Sequence, residues 1–172
     1  KAILAGLSPK QNRDVPPLHY DWVYRLKQAS PELEIVINGG IDSVDSVASQ
    51  LEHVDGAMLG RAAYHSPWLL AECQHKFFER ASVDQPEEVI GLMSEYIERQ
   101  VGHGVAVKHI TRHLLGLFQG VPGAKAWRRF LSENAFRDDQ NTAILTQALA
   151  VMQSAGGGAR ARLAETKDQI DD

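Results

Sequence analysis

Two spacings of apolar residues alternate along the first part of the chain. Residues 21–29 and 42–51 carry apolar side chains at the spacing of an amphipathic helix. Residues 34–38 and 56–59 are short apolar runs that stop at glycines, which is typical of strands buried on both faces of a parallel sheet. A further helix begins at the Ser-Pro pair of residues 66–67. This order predicts βα repeats on a parallel sheet.

After about residue 78 only helical spacing remains. Helices are predicted over residues 86–102, 105–118, 122–134 and 139–153. Together they predict a small helical bundle, followed by a flexible polar tail that starts near a run of three glycines. The fold class is therefore α/β plus all-α, with parts at residues 1–78, 79–154 and 155–172.

Composition narrows the class of protein. Of the 172 residues, 44% are hydrophobic and 23% are charged, which excludes an intrinsically disordered chain. No apolar run reaches the roughly 18 residues of a membrane helix, so we expect no membrane attachment. The single cysteine excludes an internal disulfide and suits a reducing cytoplasm. Because the chain opens at Lys1 rather than at Met, we expect it to be a piece of a longer protein.

Charge is unevenly distributed along this acidic chain, whose formal net charge is −4. Residues 100–137 contain one acidic residue, Glu133, and six basic ones, a local charge of +5: Lys108, Arg112, Lys125, Arg128, Arg129 and Arg137. A basic region in an otherwise acidic protein indicates an anionic partner at that region.

The two predicted strands end in turns of similar composition. Asn38-Gly39-Gly40 follows the first strand and Gly60-Arg61 follows the second, each with a helix behind it. Glycine lets backbone N–H groups approach a phosphate closely, and the loops after the last two strands of a (β/α)8 barrel often form a phosphate site. Arg61 could add a bidentate charge. The alternative is that the glycines only terminate strands.

The predicted helices 105–118 and 122–134 carry a histidine pair and a group of basic side chains that could bind a ligand. His109 and His113 have the spacing of a helical zinc pair, but Ile110 stands where zinc hydrolases need glutamate, so we predict no metal site. Lys125 and Arg128 share a helix face with Arg129 in the predicted helix 122–134. That face suits either contacts to a nucleic-acid backbone or simple solvation.

Several short motifs follow one another in a fixed order along residues 1–135. They are Gly6-Leu7-Ser8-Pro9-Lys10, Asn12-Arg13, Ile37-Asn38-Gly39-Gly40-Ile41, Gly60-Arg61-Ala62-Ala63-Tyr64, Arg112-His113-Leu114-Leu115-Gly116-Leu117-Phe118 and Gly123-Ala124-Lys125-Ala126-Trp127-Arg128-Arg129. In this order and spacing they resemble the carboxyl-terminal portion of the tRNA-dihydrouridine synthase family, closest to its DusA-type branch.

The resemblance implies an FMN-binding TIM barrel joined to a helical domain, with tRNA lying across both. Such enzymes reduce a uridine of the tRNA D-loop with hydride from FMN, which NADPH has reduced. Residues 1–78 would then be the last βα units of the truncated barrel, and residues 79–154 the helical tRNA-binding domain. The resemblance implies that Asn38, Gly39, Gly40, Gly60 and Arg61 bind the FMN phosphate. It also implies that Lys10, Arg13, Lys125 and Arg128 contact tRNA.

The resemblance implies no catalytic residue in this chain. The family's catalytic cysteine lies in the first half of the barrel, and Cys73 is not at that position. A closed barrel takes about 250 residues, so we expect the isolated chain to be inactive. Two alternatives stay open: another FMN- or phosphate-binding TIM-barrel enzyme, or a non-catalytic RNA-binding module or inactive fragment. The oligomeric state is not predicted.

Overall fold

The computed structural model describes residues 5–6, 8, 11, 17–78, 83–136 and 143–168, with side chains up to residue 157. The elements in chain order are α1 (Tyr20–Ala29), β1 (Val36–Asn38), α2 (Val44–Leu51), β2 (Gly56–Met58), α3 (Arg61–His65), α4 (Trp68–Phe77), α5 (Pro86–Gly102), α6 (Lys108–Thr111), α7 (Ala124–Asn134) and α8 (Ala143–Asp168). The chain divides into two compact units, Lys1–Ala62 and Ala63–Asp172.

The first unit contains the predicted parallel strand pair. β1 and β2 pair in register, with Val36 opposite Gly56 and Asn38 opposite Met58. Ile37, at the centre of β1, is buried. The order α1-β1-α2-β2 and the parallel pairing confirm the predicted βα repeats within the part of the chain that the structure describes.

The side chain of Asp55 links α1 to the residue that precedes β1. The Asp55 carboxylate accepts hydrogen bonds from Lys27 Nζ and from the backbone N–H of Ile35, both at 2.8 Å. Lys27 also donates to the Pro31 and Leu33 carbonyls, at 2.9 and 2.7 Å. The hydrogen bond from Lys27, followed by that from Ile35, lowers the pKa of Asp55. This network therefore depends on the ionised carboxylate.

Both strands of the first unit keep apolar side chains at the surface. Val36 on β1 is 57% exposed and Met58 on β2 is 44% exposed. On α1, Trp22 and Leu26 are also exposed. Strands with apolar residues on both faces are typical of sheets that are covered on both sides. The described part of this unit thus exposes apolar surface that a larger sheet would bury.

The second unit has a helical core centred on Trp127. The Trp127 side chain is fully buried, and its Nε1–H donates to the Leu114 carbonyl at 2.9 Å. Its ring contacts the Phe118 ring edge-on, with 4.8 Å between the ring centroids. α7 packs along α8, where Ile144 and Leu145 are fully buried, and α5 also contacts α8. Five apolar side chains of the predicted helix 105–118 are also buried: Val107, Ile110, Leu114, Leu117 and Phe118.

The predicted helix over residues 105–118 is wrong. Only Lys108–Thr111 is α-helical, and consecutive tight turns follow as far as α7. A Cβ on Gly116 would overlap the His65 carbonyl, so the backbone here lies directly against another segment. The Leu114 carbonyl accepts from both Leu117 N–H and the Trp127 indole. The contacts of this segment with His65 and Trp127 prevent the continuous helix that the apolar spacing predicts.

Two predicted boundaries also differ from the structure. The first unit ends at Ala62 rather than at residue 78, because the segment that follows contacts the turns near Gly116. α8 passes through the glycines at which the polar tail was predicted to begin. A Cβ on Gly156 would lie 2.8 Å from the Pro122 carbonyl oxygen, so this glycine allows close helix packing rather than forming a linker. Among the described residues, no helix has the length and apolar character needed to cross a membrane.

Candidate functional site

The two glycine turns lie at one edge of the sheet. Because β1 and β2 are parallel and Asn38 pairs with Met58, Gly39-Gly40 and Gly60-Arg61 both follow the carboxyl ends of adjacent strands. The structure thus brings together the five residues predicted to bind a cofactor phosphate: Asn38, Gly39, Gly40, Gly60 and Arg61. In α/β folds, ligands bind at this end of the strands.

The first turn requires glycine for two reasons. Gly39 and Gly40 have φ angles of 120° and 67°, in the region that residues with a Cβ rarely adopt. A Cβ on Gly39 would also lie 2.8 Å from Leu18 Cδ2, and one on Gly40 would lie 3.2 Å from the Tyr20 hydroxyl oxygen. The backbone path of this turn therefore depends on two side chains from the preceding segment.

Tyr20 fixes the turn by a hydrogen bond that sequence reasoning missed. Its hydroxyl donates to the Gly39 carbonyl across 19 positions of sequence. Burial raises the pKa of Tyr20, with smaller contributions from Tyr24 and Asp42, so the phenol keeps the proton that it donates. No local sequence pattern links a tyrosine to a carbonyl at that separation, so only the tertiary structure could identify it.

The donors suited to a phosphate belong to the turns rather than to α2. Ser43 and Ser46 form a capping box, in which Ser46 N–H donates to Ser43 Oγ at 3.2 Å and Ser43 N–H donates to Ser46 Oγ at 3.0 Å. The first turn of α2 is therefore already capped by its own side chains. At the second turn, a Cβ on Gly60 would meet only Met58 Sδ at 3.7 Å, so the backbone there is open. The predicted phosphate site therefore remains with the glycine turns and Arg61.

The basic residues of α7 lie in different environments. Lys125 is exposed, and Arg129 is exposed and lies 4.0 Å from the Glu133 carboxylate. Arg128 is half-buried, and its Nη1 donates to Gln119 Oε1 at 2.8 Å. Arg128 is therefore more enclosed than Lys125 and Arg129, and it is held by a neighbouring side chain. Lys10 and Arg13, the other predicted tRNA contacts, lie outside the described residues.

Arg128 lines a pocket that lies entirely in the second unit. The pocket has a volume of about 540 Å³ and is lined by Tyr64, His65, Arg112, Leu115, Gly116, Gln119 and Arg128. Arg112 Nε donates to Nε2 of His113 at 3.1 Å, and the Tyr64 ring meets the His113 ring edge-on at 5.7 Å. Two arginines and a tyrosine therefore line one open pocket, a grouping that the sequence alone did not predict.

His113 and Cys73 are each constrained by their surroundings in the described structure. The Nε2 lone pair of His113 accepts from Arg112, so it is not directed at a metal shared with His109. Within the described ranges, no three His, Cys, Asp or Glu side chains are grouped to hold a metal ion. Burial, with a smaller effect of Glu72, raises the pKa of Cys73. This thiol is therefore not an activated nucleophile.

Comparison with known proteins gives one consistent result. The family model described as dihydrouridine synthase (Dus) matches residues 3–154. A tRNA-dihydrouridine(20/20a) synthase of Salmonella typhi is 49% identical over 153 residues, covering 88% of this chain and 46% of that protein. The proteins of the same name from Escherichia coli strain K12 and Xanthomonas axonopodis pv. citri are each 48% identical, covering 88% and 86% of this chain and 44% of each relative. The chain spans about half the length of the curated relatives that it matches.

Proposed function

The chain belongs to the dihydrouridine synthase family, and from this premise we propose that it forms part of an enzyme that reduces uridine to dihydrouridine in tRNA. The proposed cofactor is FMN, which supplies hydride to the uracil ring when it is bound, and the proposed reductant is NADPH. The names of the relatives point to uridines 20 and 20a, in the D-loop, as substrates. The proposed location is the cytoplasm.

The observation that carries the proposal is the parallel, in-register pairing of β1 and β2. It puts Gly39-Gly40 and Gly60-Arg61 at one sheet edge, where backbone N–H groups and one guanidinium can meet a phosphate. In this proposal the turns hold the FMN phosphate, and Tyr20 keeps the first turn in its binding conformation. These residues anchor the cofactor and carry out no chemical step.

The exposed apolar side chains of the strands support the barrel that the proposal requires. Val36 and Met58 would be buried once neighbouring strands and helices complete a (β/α)8 barrel. In that arrangement β1 and β2 are the last two strands. The second unit would bind tRNA through Lys125 and Arg128, and Lys10 and Arg13, which precede β1 in the chain, would also contact it.

The phosphate site is tested by comparing FMN with riboflavin, which lacks the phosphate. We expect this protein to bind FMN more tightly than riboflavin, and Arg61→Ala to remove most of that preference because the guanidinium acts on the phosphate. Flavin fluorescence titration measures both affinities. The matched control is Arg25→Ala, since Arg25 is an exposed arginine of the same unit that pairs with Asp21. Equal FMN affinity in the wild type and Arg61→Ala would contradict the assignment.

A non-catalytic RNA-binding module is the second candidate. The observation in its favour is that Arg112 and Arg128 line one pocket within the second unit, independently of the glycine turns. Flavin absorbance of the purified protein distinguishes the two functions. A colourless preparation that still shifts tRNA in a gel favours the binding module, whereas bound flavin favours the enzyme.

A further inference from the structure

We propose that the pocket of the second unit binds one unpaired nucleotide of an RNA chain. Its phosphate would lie between Arg112 and Arg128, and its base would stack on Tyr64. The inference rests on the proposed function, in which this chain binds tRNA. It adds a defined subsite that recognises a single nucleotide, rather than a general attraction between a basic surface and RNA.

The two arginines are oriented before any ligand arrives. Arg112 uses its Nε–H on His113, and Arg128 uses an Nη1–H on Gln119. A guanidinium carries five N–H donors, so each side chain is held by one bond and keeps donors for phosphate oxygens. Among the described residues that line the pocket there is no carboxylate that would neutralise the arginines.

Size and aromatic content favour a nucleotide over inorganic phosphate alone. A volume of about 540 Å³ is within the range of pockets for small organic ligands and far exceeds what a phosphate fills. Tyr64 is 56% exposed, so much of its ring surface is accessible to a base. Stacking on an aromatic side chain is the usual way in which proteins hold an unpaired base.

The pocket is built by a direct backbone contact. Since a Cβ on Gly116 would overlap the His65 carbonyl, the segment that carries Tyr64 is packed against the turn that carries Arg112. Because this contact fixes the backbone on both sides of the pocket, little backbone ordering is needed when a ligand binds.

The surroundings favour an RNA chain over a free nucleotide. Lys125 is exposed and lies about one helical turn before Arg128 on α7. A free nucleotide offers no phosphate to this cation, whereas an RNA strand offers it a neighbouring phosphate.

The test measures the binding of an unmodified tRNA transcript, octauridylate and UMP to the whole chain, by fluorescence anisotropy or competition at several salt concentrations. We expect Arg112→Gln and Tyr64→Leu each to weaken octauridylate and tRNA binding by about 5-fold or more. Arg112→Gln should also lower the dependence on salt, whereas Tyr64→Leu should leave it unchanged, because stacking releases no counterions. Tyr64→Phe, which keeps the ring, should bind like the wild type.

The matched control is Arg129→Gln. Arg129 adjoins Arg128 in sequence, but it lies near Glu133 and is not among the pocket-lining residues. The removal of this charge should change RNA affinity by less than about 2-fold. Far-ultraviolet circular dichroism of each variant excludes loss of fold, and the Tyr64→Phe result separates stacking from a structural role of the side chain.

The possible failures are distinguishable. If the wild type binds tRNA but Arg112→Gln and Tyr64→Leu match Arg129→Gln, the pocket assignment is overturned while the proposed RNA binding stands. If the wild type binds neither tRNA nor octauridylate, RNA binding by this chain is overturned together with the pocket. If UMP binds with the same dependence on Arg112 and Tyr64 while octauridylate does not bind, the pocket belongs to a free nucleotide and its assignment to RNA is wrong.

Discussion

Replacing Trp127 with phenylalanine should strongly destabilise the second unit. The indole is fully buried and touches Phe118 edge-on, and its N–H donates to the Leu114 carbonyl at 2.9 Å. Phenylalanine keeps an aromatic ring but loses the donor and part of the volume. The helical core would then lose one hydrogen bond and gain a cavity.

The expected cost can be estimated from these two effects. The Leu114 carbonyl also accepts from Leu117 N–H, so it is not left without a partner, and the lost hydrogen bond costs about 1 kcal/mol. The missing part of the indole leaves a cavity in a tightly packed core, which costs about 1–2 kcal/mol more. We therefore expect the free energy of unfolding to fall by about 2–3 kcal/mol in Trp127→Phe.

Urea denaturation followed by far-ultraviolet circular dichroism measures this difference without relying on tryptophan fluorescence. The control is Trp22→Phe, because Trp22 is 60% exposed and stacks on His19 at the surface. Surface substitutions of this kind change stability by less than about 0.5 kcal/mol. If Trp127→Phe and Trp22→Phe unfold at the same urea concentration, Trp127 is not the centre of the core and the reasoning is refuted.

Two other substitutions test features of the fold. Asp55→Asn should destabilise the protein at neutral pH but have little effect in acid. The hydrogen bond from Lys27 lowers the pKa of Asp55 in the folded state. The carboxylate therefore stabilises the fold above its unfolded-state pKa of about 4, and this stabilisation is lost as the pH falls through the lower pKa of the folded state. Thermal melts between about pH 3 and 7 measure this. Gly116→Ala should cost about 1–3 kcal/mol and distort the pocket, because its Cβ would overlap the His65 carbonyl. Urea denaturation checks this value, with Gly91→Ala as the control.

Parallel stability curves for the wild type and Asp55→Asn across that pH range would mean that the carboxylate has no folded-state partner. Gly91 lies within α5, and a Cβ added there would meet no other atom, so alanine should be neutral or stabilising by up to about 1 kcal/mol. If both glycine variants behaved alike, the close contact at Gly116 would be absent.

Local signals alone determined much of the fold. The helix predicted over residues 86–102 has the observed bounds, because Pro86 can begin a helix and Gln85 forms a capping box with Glu88 in the first turn. The strands were predictable because short apolar runs stop at glycines, and their order implied a parallel pair. Parallel pairing in turn implied that Gly39-Gly40 and Gly60-Arg61 share an edge. Each of these inferences uses residues that are neighbours in sequence.

Only the tertiary structure decided the features that depend on distant residues. The helix predicted over residues 105–118 breaks into turns, because Gly116 must pack against His65 and the Leu114 carbonyl must reach Trp127. Tyr20 holds the Gly39 turn across a long stretch of chain. The pocket that includes Arg112 and Arg128 arises from the same packing. A periodic pattern shows which side chains are apolar, but it does not show which distant backbone groups they contact. Those contacts interrupt the predicted helix over residues 105–118 and form the pocket.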